Sequence, residues 1–399
     1  MAATTPLSTG FNARTALAFV VAFGIVSLFA DMTYEGMRSV TGPYLAELGA
    51  NGFIVGLVAG IGELLGYTLR LASGTWADHS RAYWPITLAG YTVQMAAVPL
   101  LALTHSWPAA AAFIILERIG KATRKPATDL MLSRAGEHIG QGWAFGLREL
   151  LDQCGATIGP LIAALVLVLH HDYRLAFAWL AVPACITLVL VFSLRTRYTY
   201  AGRLPVREGK VAANGPYGHA FAWYCTGAAL VGFGFADYAL IAYHFARSHT
   251  VAMAWVPILY AISMAAAGLG SVVIGKLFDR HGLRVLVPAT IGAAVFAPLV
   301  FLGHFYAAVA GMVVWGLGLG VHEATMSAAV AHLVPVSRRA RAYGLFTAIF
   351  GLAWFAGSAS LGALYDVSLN AVVIASMAAQ VLAALPIALA ARSWQRSAP

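Results

Sequence analysis

Charge is scarce in this chain. Asp, Glu, Lys and Arg together make up 10% of its 399 residues, whereas 60% are hydrophobic and the mean hydropathy is +0.77. A water-soluble domain of this length has no core large enough to bury so much apolar surface, so the soluble globular classes are excluded and a polytopic membrane protein remains. Cysteine is scarce too. Cys154, Cys185 and Cys225 fall in or beside apolar stretches without the spacing of a disulfide framework or a metal site, and read as small core residues. No Ser/His/Asp set and no His-Glu-x-x-His pattern appears, which argues against an enzyme, and no cofactor is expected.

What is abundant is the long apolar run. A bilayer-spanning helix needs roughly 20 apolar residues. Such stretches occur at 15–47, 51–73, 85–104, 107–133, 141–169, 173–194, 219–247, 251–275, 284–304, 307–334, 340–366 and 370–392. An even number of crossings puts both termini on one side. The basic residues cluster on the side that holds the termini, from Arg14 through Arg81 and Arg195 to Arg396, whereas the opposite loops carry Arg174 and Arg247. The positive-inside rule makes the terminal side cytoplasmic. The net charge of +9 is accounted for by these loops, and no nucleic-acid partner is implied.

The longest loop, 195–218, contains Arg195, Arg197, Arg203, Arg207 and Lys210 with Pro205, Gly209 and Pro216. It reads as a basic cytoplasmic linker between an N-terminal bundle, 1–194, and a C-terminal bundle, 219–399, with a cationic face suited to anionic headgroups. Residues 1–14 are short and polar and the first apolar run is too long for a cleavable signal.

The two bundles resemble each other in sequence. Phe29-Ala30-Asp31 returns as Phe235-Ala236-Asp237. Gly74-Thr-Trp-Ala-Asp78-His-Ser-Arg81 returns as Gly275-Lys-Leu-Phe-Asp279-Arg280-His-Gly282-Leu-Arg284, and Ala144-Phe145-Gly146-Leu147 as Ala342-Tyr343-Gly344-Leu345. Three matches in one order, each offset by about 200 residues, indicate duplication, and parallel halves of this size are a feature of transporters.

An ionisable side chain inside a bilayer costs at least about 2.5–3.5 kcal/mol, so each needs a partner or a watery cavity. The first half is rich in them. Asp31, Glu35 and Arg38 share one face of the first helix at i, i+4 and i+7, Glu63 lies mid-way along the second with Arg70 nearer its end, the fourth carries Glu117, Arg118, Lys121, Arg124 and Lys125, and the fifth carries Arg148, Glu149 and Asp152. Helices four and five run in opposite directions, so ion pairs between their charged segments are expected. Arg70, Lys125, Asp129, Arg148 and Glu149 read as structural pairs or snorkelling ends. Asp31, Glu35, Glu63, Glu117 and Arg118 lie deeper and are the expected proton-coupling groups. In the second half Asp237 repeats Asp31, and His322 and Glu323 are the other ionisable groups of the deep helices apart from His244. Arg38, Lys121, Arg124, Asp237, His322, Glu323, Tyr238 and Trp315 are the expected lining of a substrate cavity. His322 and Glu323 diverge by about 100° around a helix, so a shared metal ion is not expected.

Twelve spans, a six-plus-six repeat, a basic central loop and the pattern Gly-x-x-x-Asp-Arg-x-Gly-x-Arg resemble the major facilitator superfamily over essentially the whole chain. The second loop matches through Gly275, Asp279, Arg280, Gly282 and Arg284. The first keeps Gly74, Asp78 and Arg81 but lacks the later glycine, which makes its turn geometry the open point. The resemblance implies a cytoplasmic latch at these loops. Gly155, Gly159 and Pro160 in the fifth span resemble the Gly-x-x-x-Gly-Pro motif of bacterial proton-coupled drug antiporters, and their small-residue spacing permits close helix packing and bending. Arg118 resembles the arginine of the same antiporters' fourth helix, which that family places near the proton path, while Lys121 and Ala122 depart from the motif.

The expectation is therefore an all-α polytopic membrane protein, with twelve transmembrane helices in two pseudo-symmetric six-helix bundles. It is expected to be a monomer in the inner (plasma) membrane that exports a small organic molecule by proton-coupled alternating access. A carrier of a metal ion or anionic metal chelate is the alternative within transport. A membrane sensor of the same fold is the alternative outside it, disfavoured because no signalling domain or long tail accompanies the spans.

Overall fold

The computed structural model describes residues 12–199, 218–334 and 338–397, and the regular elements among them are all helical. They are α1 (Ala13–Glu47), α2 (Gly52–Ser80), α3 (Tyr83–Leu100), α4 (Trp107–Ile139), α5 (Gln141–His170), α6 (Tyr173–Trp179), α7 (Ala181–Arg197) and α8 (His219–Gly234). They continue as α9 (Tyr238–Ser248), α10 (Trp255–His281), α11 (Leu286–Ala293), α12 (Phe296–Phe301), α13 (Phe305–Leu333), α14 (Arg339–Val367) and α15 (Leu369–Ser397). Most of the expected linker, 200–217, lies outside the described residues.

Three crossings are each built from two helices, and the breaks have local causes. Pro183 lacks the N–H that would bond to the carbonyl of Trp179, where α6 stops, and Pro298 stands in the same relation to Ala294, between α11 and α12. Between α8 and α9 no proline intervenes. There Gly232 and Gly234 weaken the helix, and Asp237 starts a new one by accepting a bond from the Ala239 N–H at 3.0 Å. With α6–α7, α8–α9 and α11–α12 counted once each, the chain makes twelve crossings. Length and hydropathy alone single out ten segments, because 255–301 runs two crossings together and α4 is too highly charged to qualify.

Both termini of a twelve-crossing chain lie at one face, here called the terminal face. At the opposite face the halves are in backbone contact. A Cβ on Gly56 or Gly362 of the α2–α14 seam would collide with Ser358 and Gly52 main chain, and one on Gly42 of α1 would collide with Ala239 of α9. Asp366, at the end of α14, accepts hydrogen bonds from the Gly52 and Phe53 N–H groups at 2.8 and 2.9 Å. It caps the N-terminus of α2 from the other half, where a helix presents free N–H groups and a partial positive charge. The seam continues past the middle of the two helices, where a Cβ on Gly351 of α14 would meet the Tyr67 side chain of α2 at 3.0 Å and the Tyr67 and Phe350 rings lie 5.7 Å apart. Nearer the terminal face, Gly74 meets only Pro126 of its own half.

Within the first half, α5 lies backbone to backbone on α1. A Cβ on Gly155 would strike the Leu28 carbonyl, and one on Gly159 the Met32 carbonyl, with Gly36 N at 2.9 Å. Gly155 and Gly159 thus face α1, and Pro160 follows at a point where α5 continues without interruption. Arg148 of α5 pairs with Asp129 of α4 at 2.8 Å and with Asp152 of its own helix at 3.0 Å, while Lys125 pairs with Asp129 at 3.4 Å. Ion pairing between α4 and α5 occurs as expected, although with Arg148 as the base and without Lys121 or Arg124.

The two duplicated loops turn differently. Arg81, which occupies the place of Gly282 in the repeat, is left-handed at φ 54°, ψ 18°, whereas Gly282 adopts φ 60°, ψ −147°, a conformation open essentially to glycine alone. The missing glycine therefore changes the turn. Asp279 and Arg280 are exposed at the terminal face and form no ion pair among the described residues; the Asp78 side chain lies outside them.

Candidate functional site

The expected charge cluster of the first half converges where α1, α2, α4, α9 and α10 meet. Glu63 of α2 is gripped by two arginines, Arg118 at 3.0 Å and Arg38 at 3.5 Å. Arg38 also reaches Asp237 of the second half at 3.3 Å. The Tyr34 hydroxyl accepts from Arg118 and, at 3.4 Å, from Arg38. Tyr260 of α10 donates to Glu35 at 2.5 Å. Two of these contacts, Arg38–Asp237 and Tyr260–Glu35, cross from one half to the other. The break between α8 and α9 makes the first possible, since it sets the Asp237 carboxylate at a helix start, 2% exposed, facing α1.

A cavity of about 300 Å³ adjoins this cluster. It is lined by Tyr34, Glu35, Arg38, Glu63, Tyr67, Arg70, Arg118 and Lys121 from the first half and by Tyr343, Phe346 and Thr347 from the start of α14. Those α14 residues belong to the first turns of that helix, so the cavity lies in the terminal half of the molecule, next to the contact of Tyr67 with Phe350. At its wall, the Lys121 ammonium sits 3.4 Å from the centre of the Tyr34 ring, and Arg70 lies over Tyr67 at 5.7 Å. Cations on aromatic faces are stabilised without a carboxylate partner.

The remaining site residues expected from sequence are placed elsewhere. Glu117 is fully buried against α3, accepting from Gln94 at 2.7 Å, and lies 3.9 Å from Arg118. Arg124 belongs to the same network, donating to Gln94 at 2.6 Å and to Tyr91 at 3.0 Å, and does not line the cavity. These bonds satisfy two charged groups that would otherwise be costly in a bilayer, and they tie α3 to α4. Tyr238 and Trp315 are also absent from the cavity wall. The broken crossing leaves carbonyls without helical partners, and Trp315 donates to Ala236 O at 3.0 Å while Ser376 donates to Gly234 O at 2.6 Å. Tyr238 donates to Val256 O at 2.8 Å. Trp315 and Ser376 are thus consumed by the break, and Tyr238 by the first turn of α10. His322 stands edge-on to Phe235 in a second, separate pocket with Tyr224, Thr290 and Thr325, inside the second half. The Glu323 side chain lies outside the described residues. Asp31, one turn from Glu35, forms no ion pair among the described residues.

The cavity also includes residues that sequence reasoning did not assign to it. Tyr34 lies between Thr33 and Glu35 in no pattern that singles it out, and Arg70 read as a structural pair or snorkelling end. Tyr343 belongs to the duplicated Ala-Tyr-Gly-Leu segment, which was a signal for kinship of the halves and none for lining.

Comparison with known proteins agrees with this architecture. The model of the Major Facilitator Superfamily matches residues 15–358 and 222–397. An uncharacterized protein of Mycobacterium tuberculosis is 39% identical over 377 residues, covering 93% of this chain and 92% of its own. An uncharacterized MFS-type transporter of Methanocaldococcus jannaschii is 26% identical over 360 residues, 88% of this chain and 89% of that one. Among solved structures, a peptide transporter POT superposes with a TM-score of 0.75 over 97% of this chain and 99% of that one, at 14% identity, which is a likeness of fold. A match of this extent to the family model, with twelve crossings in two related halves, makes this chain a member of the Major Facilitator Superfamily of membrane transporters.

Proposed function

We propose that the protein moves a small solute by alternating access coupled to protons, with the terminal face in the cytoplasm. The observation that carries this reading is the Arg118–Glu63–Arg38–Asp237 chain, in which one arginine is shared between a carboxylate of each half. A proton on Asp237 or Glu63 removes the charge that holds Arg38 in place. Breaking one side of a buried ion pair costs about 3–5 kcal/mol, more than the differences of a few kcal/mol that separate the conformations of such carriers. Protonation and the contact between halves are thereby linked. Glu35 offers a second such point, because its bond to Tyr260 also joins the halves.

The cytoplasmic assignment rests on the Lys and Arg content of the terminal-side loops. With it, the cavity lies in the inner half of the molecule and the Asp366 contact closes the outside. Gly155 and Gly159 are explained by the α1–α5 seam, so they carry no information on the direction of transport.

The test is reconstitution in liposomes with an imposed pH gradient, with an internal pH dye reporting proton movement as solutes are added. Gradient-driven flux is expected in the wild-type protein and is expected to be lost in Glu63→Gln and Asp237→Asn, while exchange of solute without a gradient survives. Solute movement indifferent to the gradient would remove proton coupling from the mechanism.

A further inference from the structure

The cavity wall is unevenly satisfied, and the imbalance has a sign. Each of its carboxylates is engaged through one oxygen: Glu63 Oε1 receives Arg118 and Arg38, and Glu35 Oε2 receives the Tyr260 hydroxyl. Asp237, which adjoins the wall, receives Arg38 and the Ala239 N–H. Its donors are not. Arg38 Nε and Arg70 Nε are buried without a hydrogen-bond partner, and among the described residues neither Arg70 nor Lys121 has a carboxylate within 4.0 Å. The acids whose fields reach Lys121, namely Asp31, Glu35 and Glu117, all lie beyond that distance. Arg70 and Lys121 instead rest on the rings of Tyr67 and Tyr34, which orient a cation and leave its N–H groups free. A buried donor without an acceptor is costly, and a ligand that brings the acceptor removes the cost.

We infer that this cavity binds a small organic anion, its carboxylate, phosphate or phosphonate group taken by Lys121 and Arg70, and the rest of the molecule lying against Tyr343 and Phe346. This inference rests on the transport reading of the same cavity but not on proton coupling. A volume of about 300 Å³ is at the small end of ligand pockets, which fits a compact molecule. The α14 side of the wall contributes two aromatic rings, a threonine and no charge, so the anionic group is oriented toward α2 and α4 and the apolar part toward the other half. A ligand held in this way touches both halves, as alternating access requires.

The experiment uses size-matched probes that differ in charge: benzoate, phenylphosphonate, benzamide and benzylammonium, with inorganic phosphate to test the anionic group alone. Binding to the full chain in nanodiscs is measured by thermal stabilisation across a concentration series. Benzoate or phenylphosphonate is expected to stabilise the protein and benzamide and benzylammonium are not. Removing one charged donor is expected to weaken the anion by about tenfold to a hundredfold, as loss of a charge-assisted hydrogen bond does. Lys121→Gln and Arg70→Gln therefore lose affinity and Lys121→Arg regains most of it. If both variants melt as the wild type does without ligand, the loss is one of recognition rather than folding. Equal stabilisation by benzamide, an unchanged anion affinity in the Lys121→Gln, Arg70→Gln double variant, or no stabilisation by any anionic probe overturns the inference. Inorganic phosphate binding as tightly as phenylphosphonate would assign the site to the anionic group alone and overturn the role given to Tyr343 and Phe346. Proton coupling is judged separately by the liposome pH signal, so anion binding without a proton flux would sink the coupling and leave this site standing.

Discussion

Replacing Asp366 with alanine should shift the protein toward a conformation open at the face opposite its termini. In the structure this carboxylate joins the end of α14 to the first turn of α2, through hydrogen bonds of 2.8 Å from Gly52 N and 2.9 Å from Phe53 N. A hydrogen bond to a charged group contributes about 1.5–3 kcal/mol, and a negative charge at a helix N-terminus about 0.3–1 kcal/mol. Phe53 is exposed, and once the halves part, water replaces the carboxylate at both N–H groups, so the differential effect is smaller than the sum. About 1–2 kcal/mol is a reasonable expectation, equivalent to a factor of about 5–30 between closed and open forms. A minor open form of about 1% would rise to about 5–20%. Asparagine keeps one acceptor without the charge and should fall between alanine and the wild type. The assay is a distance measurement between spin labels at His105 and Tyr306, exposed positions of different halves at this face, in a variant with its three native cysteines replaced. A second, longer distance should gain weight in the order wild type, Asp366→Asn, Asp366→Ala. Identical distributions in all three would refute the view that this contact holds the outer face shut.

Other substitutions test the packing on which the site depends. Gly159→Ala should lower the melting temperature, because a Cβ there meets the Met32 carbonyl across the α1–α5 seam, and overpacking costs about 1–3 kcal/mol. Gly146→Ala on the same helix has open space and should be neutral or slightly stabilising, which a parallel melt in detergent would check. Trp315→Phe keeps the ring but orphans the Ala236 carbonyl, a loss of about 1–3 kcal/mol that should also loosen Asp237. An unchanged melting temperature in that variant would show that the break between α8 and α9 does not depend on its side-chain bond.

The candidate site was only partly legible from the chain. Asp31, Glu35 and Arg38 declare a shared face by spacing alone, and an intramembrane charge calls for a partner, so the concentration of nearly balanced charge in helices one, two, four and five was legible, with Glu63 and Arg118 read as coupling groups and Arg38 as cavity lining. Which partner each would take could not. Arg38 meets Asp237, 199 positions along the chain, because the α8–α9 break turns that carboxylate toward α1, and nothing in the duplicated Phe-Ala-Asp segments distinguishes the unbroken copy in α1 from the broken one. Arg124 read as a cavity group and is instead held by Gln94 and Tyr91, and the partner that Glu117 takes is the same Gln94, a neutral residue with no periodic signature. Trp315 and Tyr238 read as cavity aromatics; Trp315 instead satisfies the break and Tyr238 bonds to the start of α10.

By itself the sequence determined the membrane class, the number of crossings, the relation of the halves and the concentration of charge in the first of them. Each of these follows from a local or periodic property: apolar run length, helical spacing, repetition, and the sign of charge in loops. Tertiary structure alone decided where the halves touch and where they part. Glycine-lined seams bring main chains together at one face, Asp366 closes that face on the start of α2, and the packing of α2, α4 and α14 nearer the other leaves Arg70 and Lys121 at a cavity wall with no carboxylate within 4.0 Å of either among the described residues. Contact between helices depends on which faces pack most closely in three dimensions, and no spacing along one helix encodes the face its distant neighbour will present.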